Sequence, residues 1–267
     1  MALALQEKRI KSADRVLEIF EMFDQGRRSV TVMEVARALE VPQSSTSELL
    51  GNLVRRGYLT RQRGGRVFQP TARIALLGAW VHPDLFRHGR LLEMIDDLVS
   101  RSGLGVSLCS VVGISLRHIH SVGAVPEVLS SGSERNLLRS PFGHALLSHR
   151  FGDEVRLLVQ RINSEAAADD YVGYSELAPR LSEVSRRGSA TGPVMPGWSG
   201  VAVRLPQGAG EEQLAIGIVG EDSEIEQRGD ELLRNLRQVI SSHIGPRVVS
   251  EWRDASATNQ GLSQTGS

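Results

Sequence analysis

The sequence predicts an α+β protein in two parts: a small N-terminal winged helix-turn-helix, and a larger domain of helices on a mainly antiparallel sheet. Three observations carry this. Two short stretches of helical apolar spacing, within residues 31–57, are separated by Glu40-Val41-Pro42. Just beyond them, two short extended runs flank Gly64-Gly65. From Val106 onward, period-two strand patterns alternate with helical ones.

The 267 residues are 40% hydrophobic and 23% charged, a globular composition long enough for one small and one medium domain. Formal net charge is zero, but it is unevenly spread. Residues 1–80 carry thirteen basic and eight acidic side chains, leaving that part at +5 and the remainder at −5. The N-terminal part is therefore expected to face an anion. One cysteine, Cys109, excludes an intrachain disulfide framework and a cysteine-based metal cluster, and fits a reducing cytoplasm. No apolar run is long enough to span a bilayer, and Met1 to Ile10 lacks the apolar core of a signal peptide, so a soluble cytoplasmic protein is expected.

Lys8 to Lys11 forms a short basic arm, and Ser12 can cap the helix that follows. Val16, Leu17, Ile19, Phe20 and Phe23 give this helix its apolar stripe, and Gly26 ends it. Thr31-x-x-Glu34 has capping-box spacing before a second helix with Val32, Val35, Ala36 and Leu39 inward. Pro42 breaks that helix and a third follows at once. Its capping box is Ser45-x-x-Glu48, or else its start lies two residues earlier.

The third helix has two unlike faces. Thr46, Leu49, Leu50, Leu53 and Val54 make an apolar stripe. Ser44, Ser47, Glu48, Gly51, Asn52 and Arg55 make a face of short polar groups. An ordinary solvated face usually carries long Lys and Glu chains. Small hydroxyls followed by Asn and Arg suit a helix inserted into a groove of duplex DNA, where hydroxyls meet phosphates and Asn or Arg meets base edges. The helix alone leaves both readings open. The hairpin after Gly57 decides between them, because Arg61, Arg63 and Arg66 cluster around its Gly64-Gly65 turn, a tip suited to a phosphate backbone. Basic residues guarding an edge strand are the bland alternative.

Thr71 to Trp80 reads as a linker helix interrupted at His82-Pro83, and Asp84 to Arg101 as a long helix with Leu85, Leu91, Leu92, Ile95, Leu98 and Val99 inward. Residues 106–112 and Ser115 to Val122 form an antiparallel pair around Gly113, and residues 123–139 read as irregular. Pro141 starts a helix through His149, Asp153 to Arg161 is another short helix, and residues 162–174 are a loop. Glu176 to Arg187 is a helix ended by Gly188. Strands follow at Ala190–Val194, Val201–Leu205 and Leu214–Val219, with a turn at Pro206 to Gly210 and a final helix through Ile240. The expected domains are 1–70, a linker at 71–83, 84–250, and a disordered tail at 251–267.

The run from Ser12 to Gly78 resembles the winged helix-turn-helix of the isocitrate-lyase-regulator (IclR) family of bacterial transcription factors. Val41-Pro42-Gln43-Ser44-Ser45-Thr46 is similar to its turn and the start of its recognition helix, and Arg55-Arg56-Gly57-Tyr58-Leu59 to that helix's end. Ser140-Pro141-Phe142-Gly143-His144-Ala145-Leu146-Leu147, and Arg186-Arg187-Gly188 followed by two strands, extend the likeness over residues 10–245. The resemblance implies a GAF-like effector domain, homodimers or dimers of dimers, and a small organic effector that alters binding to an inverted-repeat operator. Two departures stand out. Arg204 occupies the family's usual proline position, and Gly217 and Val219 occupy places where hydroxyls line the last strand in members that hold small polar acids. These point to a more apolar effector, or none.

The expected DNA-contacting residues are Ser44, Ser45, Thr46, Ser47, Asn52, Arg55, Arg61, Arg63 and Arg66. The expected effector pocket, from resemblance and strand alternation, is Leu108, Phe142, Gly143, Trp198, Val201, Gly217 and Val219. No catalytic residue, metal ligand set or cofactor is assigned. His118-x-His120 has the strand spacing that puts two rings on one face, but lacks a third ligand nearby in sequence. Cys109 in mid-strand reads as a small core hydrophobe, and no Ser-His-Asp arrangement is evident. Against the regulator stand two other readings. One is a ligand-sensing or small-molecule enzyme domain with titratable groups converging in a pocket; the other is a winged helix used for protein docking.

Overall fold

In the computed structural model the described residues are 11–23, 27–62, 66–78, 90–166, 170–205 and 213–244. Gly26, Arg63, the Gly64-Gly65 turn, residues 79–89, the Pro206 to Gly210 turn and the 251–267 tail lie outside them. The chain divides into two units, Met1–Phe86 and Arg87–Ser267.

The first unit holds α1 (Lys11–Glu21), β1 (Val30–Thr31), α2 (Val32–Ala38), α3 (Gln43–Arg55), β2 (Leu59–Arg61), β3 (Val67–Pro70) and α4 (Ala72–Gly78). Ser12 lies within α1 and does not cap it, and Leu17 is 59% exposed, so the stripe facing the core is Val16, Ile19 and Phe20, joined by Met22 and Phe23. The Thr31 capping box is formed: its hydroxyl accepts from the Glu34 amide while Glu34 accepts from the Thr31 amide. These bonds hold the Glu34 carboxyl below its usual range. Thr31→Ala should cost about 1 kcal/mol of this unit's stability, measurable by denaturant unfolding.

Glu40 turns the chain between α2 and α3 at φ 51°, in the left-handed region. The start of α3 is the earlier of the two expected: Pro42 is its N-cap and no side chain caps it. Thr46 is buried, and Leu50 and Leu53 pack with Ile19, Val35, Leu59 and Phe68. Gly57 at φ 78° ends the helix, with the Tyr58 amide reaching back to the Leu53 carbonyl. The wing is a three-stranded sheet ordered β1-β3-β2. The two-residue β1, pairing Val30 with Phe68, is too short to give a period-two signal.

The second unit is built on a six-stranded antiparallel sheet ordered β6-β5-β4-β9-β8-β7. The strands are β4 (Gly105–Val112), β5 (Ser115–Val122), β6 (Glu134–Asn136), β7 (Ala190–Met195), β8 (Trp198–Arg204) and β9 (Leu214–Glu221). Helices α5 (Arg90–Ser102) and α9 (Asp222–Ile244) pack together on one face. On the other lie α6 (Pro141–Leu147), α7 (Gly152–Glu165) and α8 (Tyr174–Arg187). The fold class is the α+β arrangement that the sequence predicts. Residues expected to be irregular contain the edge strand β6 and two 3-10 turns, and α7 and α8 extend into the expected loop. In α5, Leu92 is 51% exposed and Met94 takes its place inside. Gly188, at φ 67°, is the C-cap of α8 as expected.

Candidate nucleic-acid interface and ligand cleft

The polar face of α3 is open. Ser44, Ser45, Ser47, Glu48, Asn52 and Arg55 are exposed. They border a groove of about 620 Å³ whose other wall includes Ser12 and Arg15 of α1. Nothing lies within 4 Å of where a side chain on Gly51 would begin. The absence of bulk there lets a duplex approach the helix backbone closely. Thr46 leaves the expected contact set: it is 2% exposed and its hydroxyl donates to the Pro42 carbonyl at 3.1 Å. Its place in the apolar stripe, at helical spacing from Leu50 and Leu53, is the physical reason. Arg15 carries no local signal in the sequence, because its partners in the groove are about 30 positions away.

On the wing, Arg61 and Arg66 are exposed, and the Arg61 guanidinium lies 5.5 Å over the Phe68 ring. That stacking restricts the side chain without removing its charge. Tyr58 anchors the base of the wing, under the Arg73 guanidinium at 5.1 Å and edge-on to Phe20. Arg63 lies outside the described residues.

In the second unit the expected effector residues do not converge. Strand parity puts Leu108 and Val201 on the α5/α9 face, while Gly217 and Val219 face α6 with Phe142. Nor is there a cavity between the latter: Phe142, Leu108, Val201 and Val219 are each 0–2% exposed. A Cβ on Gly217 would stand 2.8 Å from Phe142 Cε1 and 2.5 Å from the Val201 carbonyl oxygen. Phe142 therefore fills the space that the missing Gly217 side chain leaves. A Cβ on Gly143 would sit 1.8 Å from the Leu137 carbonyl oxygen, so this glycine serves the packing of α6 on the preceding 3-10 turn. Trp198 is half-buried at the start of β8, opposite Met195 and Glu221.

A cleft of about 670 Å³ lies beside that packed region. Its apolar lining includes Leu129, Leu138, Val172 and Val194, and its polar lining includes His118, Arg135, Arg139, Asp170, Glu176 and Arg180. His118 is 1% exposed, and its ring meets Phe142 edge-on at 5.7 Å. Its Nδ1 is 2.6 Å from Ser107 Oγ and 3.4 Å from Cys109 Sγ. Its Nε2 is buried without a hydrogen-bond partner. Burial first, and then the nearby Arg135 charge, lower the ring's pKa to about 4, so it is neutral at physiological pH. Burial pushes the Cys109 thiol up, which leaves it an unreactive core group.

The two histidines of His118-x-His120 do not share a face. Cys109 pairs with His118 but Leu108 with His120, so a bulge at Ile119 reverses strand parity between them. His120 is turned to the other face, where Asp96 of α5 influences it. Among the described residues no group of three or more His, Cys, Asp and Glu could hold a metal ion, and no helix is long and apolar enough to cross a membrane.

Residues 12–63 match the family model described as the IclR helix-turn-helix domain. Solved structures share the fold. The IclR of Thermotoga maritima is 19% identical, with a TM-score of 0.56 over 89% of this chain and 100% of that one. An IclR homologue from Microbacterium hydrocarbonoxydans, in complex with 4-hydroxybenzoate, is 18% identical, with a TM-score of 0.57 over 87% of this chain and 98% of that one. The IclR effector domain of Acinetobacter sp. ADP1 is 22% identical over 59% of this chain and 95% of that one, with a TM-score of 0.53. No curated protein sequence matches this chain.

Proposed function

We propose that this chain, which joins an IclR-type helix-turn-helix domain at residues 12–63 to a fold shared with IclR effector domains, is a ligand-responsive transcription regulator of that family. The observation that carries the reading is the bare polar face of α3 beside an arginine-bearing wing. Asn52 and Arg55 read base edges in the major groove. Ser44, Ser45 and Ser47 with the α3 backbone, and Arg61, Arg63 and Arg66 on the wing, hold phosphates. A homodimer, or a dimer of dimers, sets two such helices on an inverted repeat, with half-sites about one helical turn (roughly 10 bp) or a multiple apart. A small organic effector in the second unit modulates operator binding; the 4-hydroxybenzoate held by the Microbacterium homologue supports an effector of that size.

Phosphate contacts release counterions, so each Arg61→Ala and Arg66→Ala change should lower the slope of log affinity against log salt by about one unit while sequence preference stays the same. Arg55→Ala should instead flatten preference at one base position, costing about 1–3 kcal/mol there. Titration of full-length variants on an operator duplex across salt concentrations checks both. Unchanged slopes would remove the wing from the interface.

A small-molecule enzyme is the weaker reading of the second unit. The Ser107–His118 contact resembles part of a nucleophile pair, but Ser107 is 0% exposed, its neighbours are Cys109 and Ser121, and among the described residues no carboxylate orients the ring.

A further inference from the structure

The hydrogen bonds beneath the cleft run in one direction. Ser121 Oγ donates to the Leu129 carbonyl at 2.7 Å, which uses its only proton. The 2.8 Å contact between Ser107 and Ser121 must then be donated by Ser107. The remaining 2.6 Å contact is satisfied only if His118 Nδ1–H donates to Ser107 Oγ. His118, which lines the cleft, is thereby held as the Nδ1–H tautomer, and its buried Nε2 is left a bare acceptor.

The cleft's charges are unequal in a similar way. Arg139 faces Asp170 at 3.8 Å and Arg180 pairs with Glu176 at 2.7 Å. Asp222 accepts from Ser199 Oγ at the start of α9. Arg135 pairs with no carboxylate among the described residues. It stands opposite Leu116 across β5 and β6, two residues along from His118 and on the same face, so the two are diagonal neighbours about 7–8 Å apart in backbone terms. The Arg135 charge is close enough to act on the His118 ring. Leu129, Leu138 and Val172 are apolar members of the same lining, beside Asn136, Ser140 and Tyr171.

We propose that this cleft takes a small hydroxy acid, with its carboxylate on Arg135, its apolar body along Leu129, Leu138 and Val172, and its hydroxyl donating to His118 Nε2. The assignment answers the buried unpaired nitrogen and the unpaired arginine together. It also places the polar ends of the ligand on β5 and β6, although Gly217 and Val219 offer none on β9. It rests on the regulator reading only in making this ligand the effector; binding itself needs no DNA.

The test is calorimetry of the full-length protein with 3-hydroxybenzoate, 4-hydroxybenzoate, benzoate and 4-methoxybenzoate. A hydroxybenzoate should bind, and benzoate and the methoxy compound, which cannot donate to His118, should bind roughly tenfold more weakly or worse. Arg135→Gln, a change at a half-buried edge position, should weaken the hydroxybenzoate by roughly tenfold and leave the uncharged hydroxybenzamide unaffected. The ligand series perturbs no residue, so it stands even if a variant folds poorly. The assignment is overturned if benzoate equals the hydroxybenzoates, if Arg135→Gln changes nothing, or if none of the four binds. DNA protection measured without ligand reports separately on the regulator reading.

Discussion

Gly51→Glu should leave the first unit folded, and slightly more stable, while removing its binding to duplex DNA. Gly51 lies inside α3, and nothing stands within 4 Å of the position a Cβ would take. Replacing a mid-helix glycine with a helix former there should stabilise the unit by roughly 0.5–1 kcal/mol. The same change puts bulk and a negative charge in the middle of the face formed by Ser47, Asn52 and Arg55. If that face enters a groove lined by phosphates, affinity should fall on the order of a hundredfold. Gly51→Ala separates the two effects, since it gives the helix gain with less bulk and no charge. Thermal unfolding and duplex titration of both variants read stability and binding independently. A Gly51→Glu protein that is more stable and binds as wild type would place the interface elsewhere.

A second large effect is expected in the other unit. Gly143→Ala drives a methyl group to 1.8 Å from the Leu137 carbonyl oxygen and 2.8 Å from its carbon, both backbone atoms that cannot swing aside. Either α6 or the 3-10 turn before it must shift, and Phe142, the 0% exposed centre of this core, moves with it. The cost should be about 3 kcal/mol, which lowers the unfolding temperature of this unit by roughly 6–12 °C. Scanning calorimetry of the full chain would show it. A variant of unchanged stability that lost ligand binding would instead return Gly143 to the role of a ligand contact.

The parts of the fold that were legible in the sequence are those where local chemistry decides. The Thr31 capping box, the Pro42 break, the stripe of Leu50 and Leu53, Gly57 and Gly188 as helix ends, and the period-two strands β4 and β5 depend on neighbours within a turn or two. What was not legible depends on pairing between distant segments. The strand β1 exists because Val30 meets Phe68, and β6 because Arg135 meets Leu116. The bulge at Ile119 reverses parity, so an alternation rule put His118 and His120 together when they face opposite layers. The same limit split the expected effector set. Spacing along β8 and β9 could not show that Val201 and Gly217 face opposite sides of the sheet, or that Phe142 would occupy the space over Gly217. The Ser107–His118–Arg135 grouping spans three strands, and no motif announced it.

The most direct test of the central claim, that the α3 face and the wing form a surface for one duplex sequence, is selection from a random duplex pool at physiological salt, followed by footprinting. Wild-type protein should enrich and protect an inverted repeat whose half-sites are about a helical turn, or a multiple of one, apart. Enrichment of no sequence, with retention on any polyanion alike, would contradict it.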